Sequence, residues 1–235
     1  MTTKLKNMPE ENRPRERGMK YGPENLTTRE LLAVLIRCGT KGQSALETAD
    51  KLLKAAGDLN GVARMPMEAI SGIRGLSMTK ALELKSCFEL SRRMMYEDVS
   101  RGDPIQDPEA LEMWLRSRMG ALHQEEFMVV FLDYAHHVIA AETLFIGTAS
   151  ASLVSSREIY QRALERRASF IMLAHNHPSG SLEPSEADLR LTRHVMEAGL
   201  TMDVPVLDHL IISDTGCLSM RREGYLEECM TKQYD

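Results

Sequence analysis

His175 and His177 stand two positions apart in the stretch "LAHNHPSGSLEPSEADLRL", Leu173–Leu191. The residues leading into them, "SFIMLAH", form an apolar run of strand character. Side chains alternate across an extended chain, so both imidazoles point to one side and Asn176 to the other. Two imidazoles on one face of a strand end are good ligands for zinc. "PSGSLEP" then turns the chain, with Pro and Gly fixing the turn. Ser185 opens a helix whose first turn holds Asp188, eleven positions after His177. An acid there would complete a His/His/Asp set and leave a fourth position for water, as a catalytic zinc site requires. Ser185 and Asp188 have a second reading. Ser-x-x-acid is the pattern of a helix N-terminal cap, and an acid in the first turn suits the helix dipole. From spacing alone, a metal site and a helix cap both stand.

The elements that must position these residues can be read from the surrounding pattern. "EEFMVVFLD" and "HHVIAAETLF" are strand-like runs separated by a turn around Asp133 to Ala135. "PEALEMWLRSRM", "SSREIYQRALERRA" and "SEADLRLTRHVMEAGL" read as helices, and "VLDHLIISD" as another strand. Helices mixed with a hairpin and buried strands predict an α+β or α/β layered domain over residues 104–235. The segment "YEDVSRGDPIQDPEA", with its Gly and two prolines, reads as a linker ahead of it. Residues 21–103 read as a small all-α domain. Thr27 or Thr28 caps a first helix with Leu31, Leu32, Val34, Leu35 and Ile36 as its apolar face and Gly39 as its stop. Ser44 caps a second, with Glu47 as capping-box partner and Gly57 as stop. "PMEAISGI" and "MTKALELKSCFELSRRMM" complete the set. Residues 1–20, charged and rich in Pro and Arg, are predicted to be disordered.

A chain of 235 residues accommodates these two domains, with 16 methionines joining Leu, Ile and Val as core filler. Its apolar runs are of strand length and exclude a membrane-spanning helix. The polar N-terminus shows no apolar core of a secretory signal. Cys38, Cys87, Cys217 and Cys229 form no CxxC pair, which excludes a zinc ribbon or a thioredoxin-type motif. Reduced thiols in a cytoplasmic protein are expected. The net charge of −5 is uneven: residues 1–103 carry 18 basic and 14 acidic side chains, the remainder 11 and 20. An anionic partner therefore suits the first part better than the second.

That first part holds "ISGIRGLSMTKALEL", Ile70–Leu84, a Gly-containing turn followed at once by a helix. Backbone N–H groups at a helix N-terminus can hold a phosphate, and glycine permits close approach. Gly75, Ser77 and Lys80 are the candidate contacts. The spacing resembles the helix-hairpin-helix DNA-binding element, with Ser77 where that pattern has its second glycine. The resemblance implies non-specific, salt-sensitive DNA binding. The plainer reading is an interhelix turn with Ser77 as a cap.

"HNHPSG" followed by Ser185 and Asp188 resembles the JAMM metalloprotease motif, His-x-His-Pro, a short loop, then Ser-x-x-Asp. With "FLD", "FIGTAS", "SREIYQRAL" and "VLDHLII" in order, the chain is similar to the RadC family from about residue 13 onward. No HExxH of a zincin and no PCxxC of a zinc deaminase is present. The resemblance implies an MPN/JAB-type, cytidine-deaminase-like fold, one Zn2+ held by His175, His177 and Asp188, and hydrolysis of an amide or isopeptide bond in a peptide or protein substrate. It further implies a general-base glutamate on the first strand of the domain. Glu126, directly before "FMVVFL", is taken for that residue. Glu125 would face the opposite side and Glu142 lies on the second strand. Ser185 would hydrogen-bond the developing oxyanion.

Asp208 and His209 are candidate partners of the ligating imidazoles; a strand-end polar pair is the plainer account. His136 and His137 read as surface residues of a turn, and His194 has no assigned role. A second class of function stays open: a DNA-associated repair or recombination accessory protein with a structural or inactive metal site. An open zinc coordination position is the feature that separates the two.

Overall fold

A computed structural model of the chain describes residues 8–147 and 155–231. The chain divides into two compact units, residues 1–91 and 92–235.

The first unit is all-helical. Its opening helix, α1 (Pro14–Tyr21), corrects the expectation of disorder over residues 1–20, of which residues 1–7 lie outside the described residues. Pro14 stands at the first helical turn, where its missing N–H has no helical partner to lose, and it is buried. Arg17 then bonds Glu30 at 2.6 Å. Helix α2 (Thr28–Ile36) starts with a capping box between Thr27 and Glu30. It stops at Arg37, with φ of 65°, two residues before the glycine expected to end it. Helix α3 (Ala45–Ala56) has the Ser44–Glu47 box and ends at Gly57, where φ is 86°. Two short helices, α4 (Leu59–Arg64) and α5 (Met67–Ser71), precede α6 (Met78–Arg101). Leu32, Ile36, Leu52, Val62, Ile70 and Leu84 fill the core.

Residues 96–101 of the expected linker are helical, because α6 continues to Arg101. Its last turns belong to the second unit. Tyr96 and Val99 join the core around Trp114, with the Tyr96 and Trp114 rings 4.9 Å apart. The division between units falls inside α6 rather than at residue 103.

The second unit is the α+β domain. It runs α7 (Pro108–Met119), β1 (Glu126–Leu132), β2 (Val138–Ile146), α8 (Ser156–Arg166), β3 (Phe170–Asn176), α9 (Glu186–Met202), β4 (Val206–Ile212), β5 (Cys217–Ser219) and α10 (Tyr225–Thr231). The sheet order is β2-β1-β3-β4-β5. Strand β1 is antiparallel to both neighbours, while β3 and β4 are parallel, joined through α9. Met128, Val130 and Leu132 pack with Trp114 and Leu115 of α7. Phe127, Val129 and Phe131 pack with Ile159 of α8 and Leu191 and Val195 of α9. Helices thus cover both sheet faces, which is why "FMVVFL" reads as a continuous apolar run. Among the described residues no helix is long and apolar enough to cross a membrane.

Candidate metal centre

Strand β3 delivers His175 at its end, opposite Phe127 of β1. The main chain of His177 is still held, its N–H bonding Ile212 O of β4 at 2.9 Å. A turn follows, closed by Gly180 N–H on His177 O at 3.0 Å, and Gly180 takes a φ of 83° that favours glycine. Asn176, between the histidines, staples the chain before β1. Its Oδ1 accepts from Glu126 N–H at 2.8 Å and its Nδ2 donates to Gln124 O at 3.1 Å. Sequence reading assigned Asn176 nothing, since its partners lie some fifty residues away.

At the start of α9 the capping box forms in full. Asp188 Oδ2 accepts from Ser185 N–H at 2.8 Å and from Ser185 Oγ–H at 2.6 Å, and Asp188 N–H donates to Ser185 Oγ at 3.2 Å. The cap therefore orients the acid. Asp188 Oδ1 lies 3.2 Å from His175 Nε2, and Oδ2 lies 3.5 Å from His177 Nε2. The two imidazole Nε2 atoms are 2.9 Å apart. One ligand atom from each of the three residues falls within 4.8 Å of the others. His177 Nδ1 lies 3.0 Å from Ser181 O, a carbonyl that can only accept, so Nδ1 carries a proton there and the neutral ring keeps its lone pair on Nε2. Two ring nitrogens and a carboxylate oxygen converging on one point suit zinc by donor type and number.

Electrostatics agree. Burial opposes the charge on Asp188, but the His175 and His177 rings beside it and the hydrogen bond from Ser185 outweigh burial and hold the carboxyl far below the usual range. The hydrogen bond to Asp188 raises the His177 pKa against burial, and the charge of Glu125 adds to the rise. Ser185 gives its hydroxyl proton to Asp188, so an oxyanion contact from Ser185 would need that bond to open.

The structure does not bring Glu126 to this cluster. Its carboxylate lies 3.3 Å from Arg118 of α7 and accepts from Thr143 Oγ1 at 3.2 Å. It shares the alternation of Met128, which packs on α7, whereas Phe127 shares the His175 side. Glu125 lies just before β1, and its charge contributes to the raised pKa of His177. Glu126, the residue taken from the sequence for the general base, is thus engaged with α7 and β2 in this structure. Glu142 pairs with Arg166 of α8 and stands apart from the cluster.

Asp208 and His209 separate. Asp208 accepts from the N–H groups of His209 at 2.7 Å and Arg221 at 2.9 Å and from Ser219 Oγ at 2.5 Å, organising the chain around β5. Burial nevertheless raises its pKa. His209 turns toward the cluster, with Nε2 2.8 Å from His175 Nδ1. Burial, then the charge of His175, pushes its pKa well down. His136 and His137 lie in the β1–β2 turn beside Asp103 and Asp133 respectively, and His194 is exposed on α9.

In the helical unit, Gly75 has φ of 101°, and a Cβ there would come within 3.0 Å of Thr48 Oγ1. The glycine is needed for packing as well as for the turn. Ser77 Oγ accepts from Lys80 N–H at 3.3 Å, and Lys80 Nζ pairs with Glu83 at 2.8 Å. Buried Gln43, which sequence reading passed over, braces the turn by donating to Arg74 O at 2.9 Å and to Thr48 Oγ1 at 2.8 Å.

A helix-flanked mixed sheet carrying a His/His/Asp cluster at one strand end is a JAB/MPN-type domain, and the chain belongs to the RadC-like JAB domain family, which it matches over residues 105–225. Residues 5–82 match the UPF0758 N-terminal family. A UPF0758 protein of Aliivibrio fischeri (strain ATCC 700601 / ES114) is 39% identical over 222 residues, 94% of this chain and 99% of that one. A UPF0758 protein of Caldanaerobacter subterraneus subsp. tengcongensis is 38% identical over 227 residues, 97% of each chain. One from Desulfitobacterium hafniense is 38% identical over 223 residues, 95% of this chain and 98% of its own.

Proposed function

We propose that the chain is a zinc-dependent hydrolase of amide or isopeptide bonds, acting on a peptide or protein substrate in the cytoplasm. The observation that carries this reading is the convergence of His175, His177 and Asp188, with the charge of Glu125 acting on His177. The free cysteines support the compartment. His175 Nε2, His177 Nε2 and an oxygen of Asp188 would hold the ion, which supplies Lewis acidity that polarises a carbonyl and acidifies water. Ser185 keeps the Asp188 carboxylate in place through the cap. Glu125 takes a proton from the attacking water and returns it to the leaving amine.

The test uses the full chain and a panel of peptide and isopeptide substrates. Glu125→Gln keeps shape but accepts no proton. It is expected to retain zinc and to lose activity by on the order of 10²–10⁴-fold. Glu126→Gln, facing Arg118, is expected to act like wild type. Reversal of the two results would return the base to Glu126; full activity in both would remove general-base catalysis by either.

A DNA-associated role is the second reading, favoured by the basic balance of residues 1–103 and the turn before α6. The packing of Gly75 and the capping by Ser77 account for that turn without a phosphate. A duplex titration of the full chain decides it: affinity that falls steeply with salt supports the reading, and no binding at low salt removes it.

A further inference from the structure

Behind His175 runs a chain of buried polar groups. His175 Nδ1 lies 2.8 Å from His209 Nε2, His209 Nδ1 lies 2.6 Å from Thr192 Oγ1, and Thr192 Oγ1 lies 2.6 Å from the Asp188 carbonyl oxygen. Thr192 and His209 are both 0% exposed. The direction of every hydrogen bond follows from the last one. A carbonyl can only accept, so the single hydroxyl proton of Thr192 goes to Asp188 O. The other acceptor within its reach, Met220 Sδ, is 3.9 Å away and weak. Thr192 Oγ1 must then accept from His209, which places the His209 proton on Nδ1. The ring of His209 faces Phe127 edge-on at 5.8 Å, and among the described residues its two nitrogens meet Thr192 and His175. A fully buried ring whose nitrogens meet a hydroxyl and another imidazole stays neutral, so Nε2 carries a lone pair. That lone pair accepts from His175 Nδ1–H. His175 is left with a bare Nε2, the atom 3.2 Å from Asp188 Oδ1.

We propose that Thr192 and His209 are positioning residues that set the tautomer of His175 and lock its ring toward the cluster. The proposal rests on the metal-site reading above. A ligating histidine usually donates its second N–H to a carboxylate or a backbone carbonyl. Here the carbonyl is reached through two side chains, and it belongs to Asp188, another of the three ligands. With an ion held between His175 and the Asp188 carboxylate, the relay would close a ring: side chain of Asp188, His175, His209, Thr192, main chain of Asp188. It ties β3, β4 and the first turns of α9 into one unit, so that His175 and Asp188 shift together.

The test has two readouts on the full-length protein. Long-range ¹⁵N–¹H NMR of chelator-treated wild type reads the tautomers without any substitution. Both His175 and His209 are expected to be protonated on Nδ1 and bare on Nε2. Zinc affinity, by competition with a chromophoric chelator, then compares variants. His209→Leu removes the acceptor and should weaken zinc by about 10–100-fold. His209→Gln, whose amide oxygen accepts and whose NH2 donates, should recover most of that loss. Thr192→Val should weaken binding and leave His175 in mixed tautomers, while Thr192→Ser should match wild type. The proposal is overturned if wild-type His175 carries its proton on Nε2, if His209→Leu binds zinc as tightly as wild type, or if Gln loses as much as Leu. Wild type with the expected tautomers and no zinc uptake would support the relay and overturn the metal reading instead.

Discussion

The N-termini of α3 and α9 are built on one pattern and used in two ways. At α3, Ser44 N–H and Oγ–H donate to Glu47 Oε2 at 2.7 and 3.0 Å, and Glu47 N–H returns to Ser44 Oγ at 3.2 Å. At α9 the same bonds join Ser185 and Asp188 at 2.8, 2.6 and 3.2 Å. Both boxes satisfy N–H groups that a helix start leaves orphaned. What differs is the surroundings of the acid. The Glu47 carboxylate has Lys51 as its nearby charge. The Asp188 carboxylate is buried against two imidazoles. The cap supplies a fixed carboxylate in each case; the strand end opposite decides whether that carboxylate serves the helix alone or also joins a cluster that could hold a metal. The two readings of Ser185 and Asp188 left open by the sequence are therefore compatible.

Substitutions at equivalent positions break this comparison most sharply. Asp188→Asn removes a ligand charge and is expected to take bound zinc from about one ion per chain to near none. Glu47→Gln should leave zinc content unchanged. Metal analysis of the two purified variants checks the contrast, and zinc retained by Asp188→Asn would reduce α9 to a second ordinary cap.

A smaller effect separates the serines. Ser44→Ala and Ser185→Ala each lose a cap and should cost about 1 kcal/mol in denaturant unfolding. Only Ser185→Ala should also weaken zinc, by roughly 10-fold, since Ser185 fixes the Asp188 carboxylate. Equal zinc affinity in the two variants would mean that the cap contributes nothing to the centre.

The smallest effect is on pH dependence. Hydrogen bonds from the Ser44 backbone and hydroxyl hold Glu47 below its ordinary range. At Glu30, burial works the other way but is outweighed by Thr27 and Arg17. A depressed folded-state pKa gives stability that is present above the unfolded value and lost as pH falls through the folded one. Thermal melts should therefore show the helical unit weakening below about pH 4.5. Thr27→Ala and Ser44→Ala, which remove the bonds holding these acids, should flatten that decline. An unchanged profile would show that these caps do not set the acid response.

Much of this was legible locally. Capping pairs such as Ser44–Glu47 and Ser185–Asp188 lie three residues apart, and the His-x-His spacing on a strand shows its own face. The surroundings of Glu125 and Glu126 were not legible. "FMVVFL" is apolar throughout because both faces of β1 are covered, so no alternation marks which face each residue of β1 takes. The partnership of His175 with His209 spans 34 positions, and that of Asn176 with Glu126 spans 50. No local periodicity encodes either. Strand β5, at three residues, and the short helices α4 and α10 carry too few positions to show a period. The helical residues 96–101 were hidden because Tyr96 and Val99 are held by packing around Trp114, which outweighs the turn-rich sequence beyond them.

The central claim is that two imidazoles and one capped carboxylate hold a metal ion. Zinc content of the purified full-length chain, measured by elemental analysis beside His175→Ala plus His177→Ala, tests it most directly. The account predicts about one zinc per wild-type chain and none in the double variant, with both proteins folded by circular dichroism. Equal metal content in the two, or a folded wild type that takes up no zinc even when it is supplied, would contradict it.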